Sequence, residues 1–158
     1  MQIPGAELER DEGISPDSTV ESLGKLEPAF RADGTVTAGN SSPLSDGAAA
    51  VLLAAESALP GEPLASVAGR GLAGNDPDVF GVAPVEAANR ALAAAGKTWA
   101  DVDIVELNEA FASQSLACIG LWKDLDPGIV NIHGGAIAMG HPLGASGARI
   151  ISHAAHQL

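Results

Sequence analysis

Apolar residues along this chain recur at helical spacing in some stretches and form short unbroken runs in others. The helical spacing predicts helices at residues 19–30, 85–95, 110–121 and 148–158. The short runs predict strands at residues 104–107 and 129–132. Strands that alternate with helices indicate an α/β fold, with a mainly parallel, mixed sheet and helices on both of its faces.

The segments between these elements complete the predicted layout. Residues 48–53 are apolar at every position, so we expect them to be buried on both faces. Residues 134–147 are rich in glycine and predict a long functional loop. Residues 1–18 mix charges and prolines, which predicts a linker or the remnant of a preceding domain, and leaves 19–158 as one domain. Because an outer helix is usually followed by another strand, we expect the last strands of the sheet to be missing.

Composition excludes several classes of partner. The net charge of −12 would repel phosphate backbones and anionic lipids, so neither nucleic acid nor membrane is an expected partner. No apolar run approaches the roughly 20 residues that span a membrane, and the first residues do not resemble a secretion signal. The single cysteine, Cys118, cannot form an internal disulfide, which favours a cytoplasmic location. Its apolar neighbours predict a buried, inert thiol.

Asn108 is the first candidate for chemistry. It directly follows the predicted strand 104–107, at the carboxyl edge where open α/β sheets bind ligands. An amide there can donate a hydrogen bond to a carbonyl oxygen, directly or through a water, as negative charge develops on that oxygen. The alternative is that Asn108 only caps the helix that follows.

His141 is the second candidate. It lies in the segment GHPLGASGAR, where glycines permit close approaches and Pro142 restrains the preceding residue. The positive end of the following helix would favour a neutral imidazole that can accept a proton. The alternative is a histidine that is hydrogen-bonded into the loop for structural reasons.

Three other patterns are weaker. Residues 69–74 have the spacing G-x-G-x-x-G, but no helix follows to face a pyrophosphate, which argues against a dinucleotide site. His153 and His156 could share one helix face, yet no cysteine or carboxylate cluster completes a metal site, so we predict none. His133 is followed by no helix start and is a weaker candidate than His141.

Four segments carry a family resemblance. RDEGISPDSTVESLGKLEPAF, GTVTAGNSSPLSDGAAAVLLA, VELNEAFASQSLA and NIHGGAIAMGHPLGASGAR occur in this order and resemble the second half of the thiolases. The resemblance implies an incomplete thiolase C-terminal domain, from an acyltransferase that cleaves or makes 3-ketoacyl-CoA through an acyl-cysteine. It implies no permanently bound cofactor, coenzyme A and acyl-CoA as substrates, and a homodimeric or homotetrameric full-length protein.

The resemblance also implies roles for single residues. His141 matches the histidine that activates the nucleophilic cysteine and helps to form an oxyanion hole, and Asn108 matches the asparagine that positions a water there. Ala110 and Phe111 match residues that line the coenzyme A side of the pocket. Gly69 stands where many thiolases have a serine that contacts coenzyme A.

The sequence departs from the family at its cysteines. Thiolases use a nucleophilic cysteine and a second, proton-transferring cysteine, and Cys118 matches neither. We therefore expect these 158 residues to be inactive alone. The alternative function is a non-catalytic, thiolase-like module that binds coenzyme A or lipid, or a pseudo-subunit that packs against complete thiolases. The NEAF segment favours the enzyme.

Overall fold

The computed structural model describes residues 10–58 and 61–158, so residues 1–9 of the predicted linker lie outside the described part. The α-helices are α1 (Val20–Leu23), α2 (Ala83–Ala95), α3 (Ala112–Leu121), α4 (Ala136–Met139) and α5 (Ser146–Ala155). Short 3₁₀ turns occur at Ala38–Asn40, Glu56–Ala58, Pro77–Val82, Trp99–Asp101 and Pro127–Ile129.

The helix predictions hold best for α2. It has proline in its first turn and ends at Gly96, whose φ of 65° is the left-handed conformation that glycine adopts without strain. Helix α1 is much shorter than predicted, because it ends at Gly24 after four residues. The predicted loop 134–147 was wrong in two respects, because it contains α4 and because its last two residues already belong to α5.

The predicted sheet is not confirmed. Within the described residues, β-pairing takes the form of isolated bridges that join Ser41 to Phe111, Leu44 to His141 and Val105 to Val130. The Val105 bridge is parallel and joins the two predicted strands, with Val105 N–H donating to Ile129 O at 3.0 Å. The two chain segments that follow Val105 and Val130 therefore begin next to each other and run in the same direction.

The core lies where α2 and α3 meet these two segments. Cys118, Trp122 and Leu125 are its buried residues. The Trp122 ring packs against Trp99 with centroids 5.0 Å apart, and its Nε1–H donates to the carbonyl oxygen of Val85 at 3.2 Å. This small core fixes the ends of the two predicted strands, and with them the candidate site.

The prediction that residues 48–53 are buried on both faces was wrong. Leu52 is 89% exposed and Leu53 is 75% exposed, in a stretch without regular secondary structure. An apolar run is buried only where other residues cover it, and the part of the chain that the structure describes supplies no such cover. The search for membrane-spanning segments, limited to the described residues, finds no helix long and apolar enough to cross a bilayer.

The G-x-G-x-x-G pattern at residues 69–74 has a packing explanation. This extended segment lies directly on the backbone of α2. A Cβ at Gly69 would overlap the carbonyl oxygen of Ala91, and one at Gly71 would overlap that of Ala87. Two of the glycines therefore permit the close approach of the segment to the helix, and a phosphate ligand is not needed to explain them.

Candidate active site

Asn108 and His141 meet in the folded chain. The two residues are 33 positions apart in sequence, yet Asn108 Nδ2 lies 3.3 Å from His141 Nε2. Both residues come from the segments that follow the bridged pair Val105 and Val130, so the parallel pairing explains why they converge. The two residues selected from the sequence as separate candidates thus form one site.

A buried serine orients the His141 ring. Ser146, the first residue of α5, is only 3% exposed, and its Oγ lies 2.7 Å from His141 Nδ1. The same hydroxyl donates to the carbonyl oxygen of Pro142 at 3.1 Å. Because that hydroxyl proton is used, Ser146 Oγ accepts from Nδ1–H, and this assigns the imidazole lone pair to Nε2. Nε2 is therefore the basic atom, and it faces Asn108.

The backbone of the GHP turn is held by an earlier segment. His141 N lies 3.2 Å from Ser45 Oγ and 3.4 Å from the carbonyl oxygen of Pro43. Gly140 has a φ of 96°, and a Cβ there would overlap the Ser45 hydroxyl. Glycine is required at this position both for its conformation and for the space it leaves.

Asn108 has one polar atom free for another group. Its Oδ1 is buried, and within residues 10–58 and 61–158 no group hydrogen-bonds to it. A buried amide oxygen without a partner costs free energy, which a hydrogen bond from a water or a substrate would recover. Helix capping does not explain Asn108, because Phe111 occupies the cap position of α3.

Ala110 and Phe111 are held in place by contacts with the segment of residues 30–42. The Ala110 carbonyl oxygen accepts hydrogen bonds from Ser42 N at 3.1 Å and Ser42 Oγ at 3.2 Å. The Phe111 ring meets Phe30 edge to face, with centroids 6.1 Å apart. These contacts fix the direction in which the NEAF segment leaves Asn108.

Cys118 is buried, as predicted. It has no exposed surface, and its Sγ accepts from Gln114 Nε2 at 3.3 Å and donates to Gly81 O at 3.5 Å. Burial raises the pKa of this thiol above its ordinary value, and the hydrogen bond from Gln114 opposes that effect without cancelling it. A protonated, enclosed thiol is a poor nucleophile.

The other histidines lie apart from this pair. His153 Nδ1 is 3.1 Å from Glu106 Oε1, an ion-pair distance without hydrogen-bond alignment, and its ring packs against that of His133. His156 is exposed and bonds to the backbone of its own helix. A cleft of about 490 Å³ beside α5 is lined by residues that include His153 and His156 but neither Asn108 nor His141.

Three residues of this site were missed as functional candidates in the sequence. Ser146 orients His141, Asn131 bonds to the backbone of Leu107 just before Asn108, and the carboxylate of Glu109 just after it accepts from Asn131 and Ile137. Each lies inside a segment already singled out for its motif. Their polar side chains beside the glycines and strand ends were the available signal.

A histidine whose Nε2 carries a lone pair, beside an amide, can serve acid–base chemistry and the stabilisation of negative charge on oxygen. Comparison with known proteins gives the family. The thiolase N-terminal domain family matches residues 2–57, and the thiolase C-terminal domain family matches residues 61–158. The chain belongs to the thiolase family. The boundary at residue 18 stays a prediction.

The similar proteins are much longer than this chain. A probable acetyl-CoA acyltransferase of Staphylococcus aureus is 51% identical over 152 residues, which cover 94% of this chain and 38% of that protein. The mitochondrial 3-ketoacyl-CoA thiolase of Mus musculus is 49% identical, over 96% of this chain and 38% of its own length. The chain thus spans 38% of the length of these relatives.

Solved structures agree with this result. The crystal structure of human mitochondrial 3-ketoacyl-CoA thiolase in complex with CoA matches with a TM-score of 0.86 at 45% identity, over 94% of this chain and 38% of that one. The Bacillus anthracis acetyl-CoA acetyltransferase matches with a TM-score of 0.88 at 42% identity, over the same shares. The described chain therefore has the fold of the corresponding part of a thiolase.

Proposed function

We propose that this chain supplies the base and one oxyanion contact of a thiolase, an acyltransferase that exchanges acyl groups between a cysteine and coenzyme A. The contact between His141 Nε2 and Asn108 Nδ2, at 3.3 Å, is the observation that carries the proposal. The named activities of the relatives and the human structure with CoA bound support coenzyme A and acyl-CoA as its substrates. The proposed reaction requires no permanently bound cofactor.

In the proposed reaction, His141 Nε2 takes the proton of a nucleophilic thiol as the sulfur attacks the keto carbon of a 3-ketoacyl-CoA. The bond between C2 and C3 then breaks, and its electron pair goes to C2 of the departing acetyl-CoA, which takes a proton from the second cysteine of the family. The acyl group stays on the first sulfur until the thiol of coenzyme A accepts it. Condensation is the reverse.

Asn108 would act on the carbonyl oxygen. Its buried Oδ1 can accept a hydrogen bond from a water, and that water can donate to the oxygen as negative charge develops. After proton transfer, Nε2–H of His141 becomes a second donor to the same oxygen. Ala110 and Phe111 are proposed to line the coenzyme A side of this pocket.

Cys118 cannot be the nucleophile in this arrangement. It is fully buried and hydrogen-bonded between Gln114 and Gly81, and it belongs to the core rather than to the site. The acylated cysteine must therefore be one outside these residues. For this reason the chain alone is predicted to be inactive. A cytoplasmic location and an assembly of two or four subunits are separate predictions for the complete protein.

The test uses a chimaeric thiolase, in which this chain replaces the matching segment of the Staphylococcus aureus relative. The chimaera should cleave a 3-ketoacyl-CoA in the presence of coenzyme A. His141→Ala should lower kcat about 10²- to 10⁴-fold, as expected for loss of a general base. His156→Ala is the matched control, since that histidine is exposed directly after α5 and its loss should leave the rate unchanged.

Two outcomes would count against the proposal. Full activity of the His141→Ala chimaera would show that another group acts as the base. A chimaera that binds coenzyme A but cleaves no substrate, where the parent relative does, would favour the non-catalytic binding module instead.

A further inference from the structure

The Asn131 side chain clamps the residue that precedes Asn108. Its Oδ1 accepts from Leu107 N at 2.8 Å, and its Nδ2 donates to Leu107 O at 2.8 Å. The second proton of Nδ2 is directed to Glu109 Oε1 at 3.0 Å. Reversing the amide would set its oxygen against two acceptors, so the orientation is fixed.

Glu109, the residue that follows Asn108, is held by the hydrogen bonds of its carboxylate. One carboxylate oxygen accepts from Asn131 Nδ2, and the other accepts from the backbone N–H of Ile137 at 3.1 Å. A Cβ at Gly135 would overlap this carboxylate, so the glycine provides the space in which it lies. The charged group thus bridges the NEAF segment to α4.

These bonds link the two proposed catalytic side chains through the backbone. Asn108 lies between Leu107 and Glu109, and both of these residues are tied to the segment that begins at Asn131 and includes α4. Helix α4 ends at Met139, and His141 follows only two residues later. The same network therefore holds the amide on one side and the imidazole on the other.

We propose that Asn131 and Glu109 are positioning residues, which set the separation of Asn108 from His141 for the reaction. The inference rests on the proposed function, because it concerns the alignment of that base and that amide. Neither residue needs to touch the substrate. A displacement of about 1 Å between reacting groups can lower a rate by about 100-fold.

The chemistry of both residues is specific. Asn131 has a φ of 50°, a conformation that asparagine tolerates better than most residues other than glycine. Both partners of the Glu109 carboxylate are N–H donors, so a glutamine can satisfy only one of them with its single oxygen. Asn131→Gly removes the amide without straining the backbone, and Glu109→Gln keeps the size of the side chain.

In the chimaeric thiolase, each variant should lower kcat by about 10- to 100-fold while KM for coenzyme A changes by less than about 2-fold. A general loss of structure would instead raise KM and lower the amount of folded protein. Asp101→Asn is the matched control for Glu109→Gln, since the Asp101 carboxylate also accepts two hydrogen bonds, both from Thr98 in an exposed turn. The control should keep the parent rate.

A double-mutant cycle decides whether the effect passes through Asn108. In an Asn108→Ala background, adding Asn131→Gly should lower kcat by less than about 2-fold further, because no amide remains whose distance from His141 the clamp could set. A further fall as large as in the parent chimaera would overturn the inference. So would unchanged kcat in both single variants. If Asn131→Gly does not fold, Glu109→Gln carries the same cycle.

The two proposals fail separately. Parent-like rates in Asn131→Gly and Glu109→Gln, together with an inactive His141→Ala chimaera, would refute the positioning role and leave the thiolase function standing. Full activity in His141→Ala would refute the function itself.

Discussion

Removal of the Ser146 hydroxyl should disable His141 without touching its Nε2. Ser146 is 3% exposed and accepts from His141 Nδ1–H at 2.7 Å, which keeps the proton on Nδ1 and the lone pair on Nε2. In Ser146→Ala the Nδ1–H loses this acceptor in a nearly buried setting. The competing tautomer then becomes more favourable, although its Nε2–H would face the Asn108 amide protons.

The size of the effect follows from the hydrogen bond. A buried donor left without an acceptor costs about 1 to 3 kcal/mol. If that cost falls on the tautomer that catalysis requires, the rate should drop by about 5- to 150-fold, since each 1.36 kcal/mol is a factor of ten. The effect is expected in kcat, because Ser146 contacts the ring and Pro142 rather than a substrate.

The assay combines kinetics with spectroscopy on the chimaeric thiolase. Steady-state cleavage of a 3-ketoacyl-CoA gives kcat, and ¹⁵N NMR of the His141 ring gives its tautomer. Ser146→Thr keeps the hydroxyl and should recover most of the rate. A Ser146→Ala enzyme with the parent kcat and the parent ring spectrum would refute the reasoning that Ser146 fixes the base.

Two further predictions concern the core. Gly71→Ala should destabilise the chimaera by about 1 to 3 kcal/mol, because the new methyl group overlaps the carbonyl oxygen of Ala87. Gly74→Ala is the control, because a methyl group there meets open space, and it should change the midpoint of thermal unfolding little. Equal midpoints would contradict the packing explanation. Cys118 should resist a thiol reagent near neutral pH until the protein is unfolded, because burial encloses the thiol and raises its pKa. Rapid labelling of the native protein, detected by mass spectrometry, would contradict this.

Much of the local structure could be predicted from sequence, because it depends on neighbouring residues. Helix α2 ends where Gly96 permits a left-handed turn, and α5 begins soon after the GHP segment. The convergence of Asn108 and His141 also follows a simple rule, since each lies beyond the end of one of two adjacent predicted strands. Local signals and the order of elements were sufficient for these features.

The remaining features depend on contacts that the pattern does not encode. The apolar residues 48–53 have the composition of a buried element, but burial is a property of what covers a segment, and Leu52 and Leu53 are exposed in the described chain. Asn131 lies in a predicted strand, where an asparagine looks like an ordinary end residue. Its role depends on two hydrogen bonds to Leu107, which is 24 positions away.

The central claim is that His141 Nε2 receives the proton of the nucleophilic cysteine. Single-turnover acylation by acetyl-CoA tests it most directly, because the cysteine thiol then displaces coenzyme A from the thioester and no carbon–carbon bond changes in that step. Mixing the chimaeric thiolase with acetyl-CoA and quenching at successive times allows mass spectrometry to count acyl-cysteine. We expect the acyl-enzyme to form rapidly in the parent and about 10²- to 10⁴-fold more slowly in His141→Ala. Acylation of His141→Ala at the parent rate would contradict the claim.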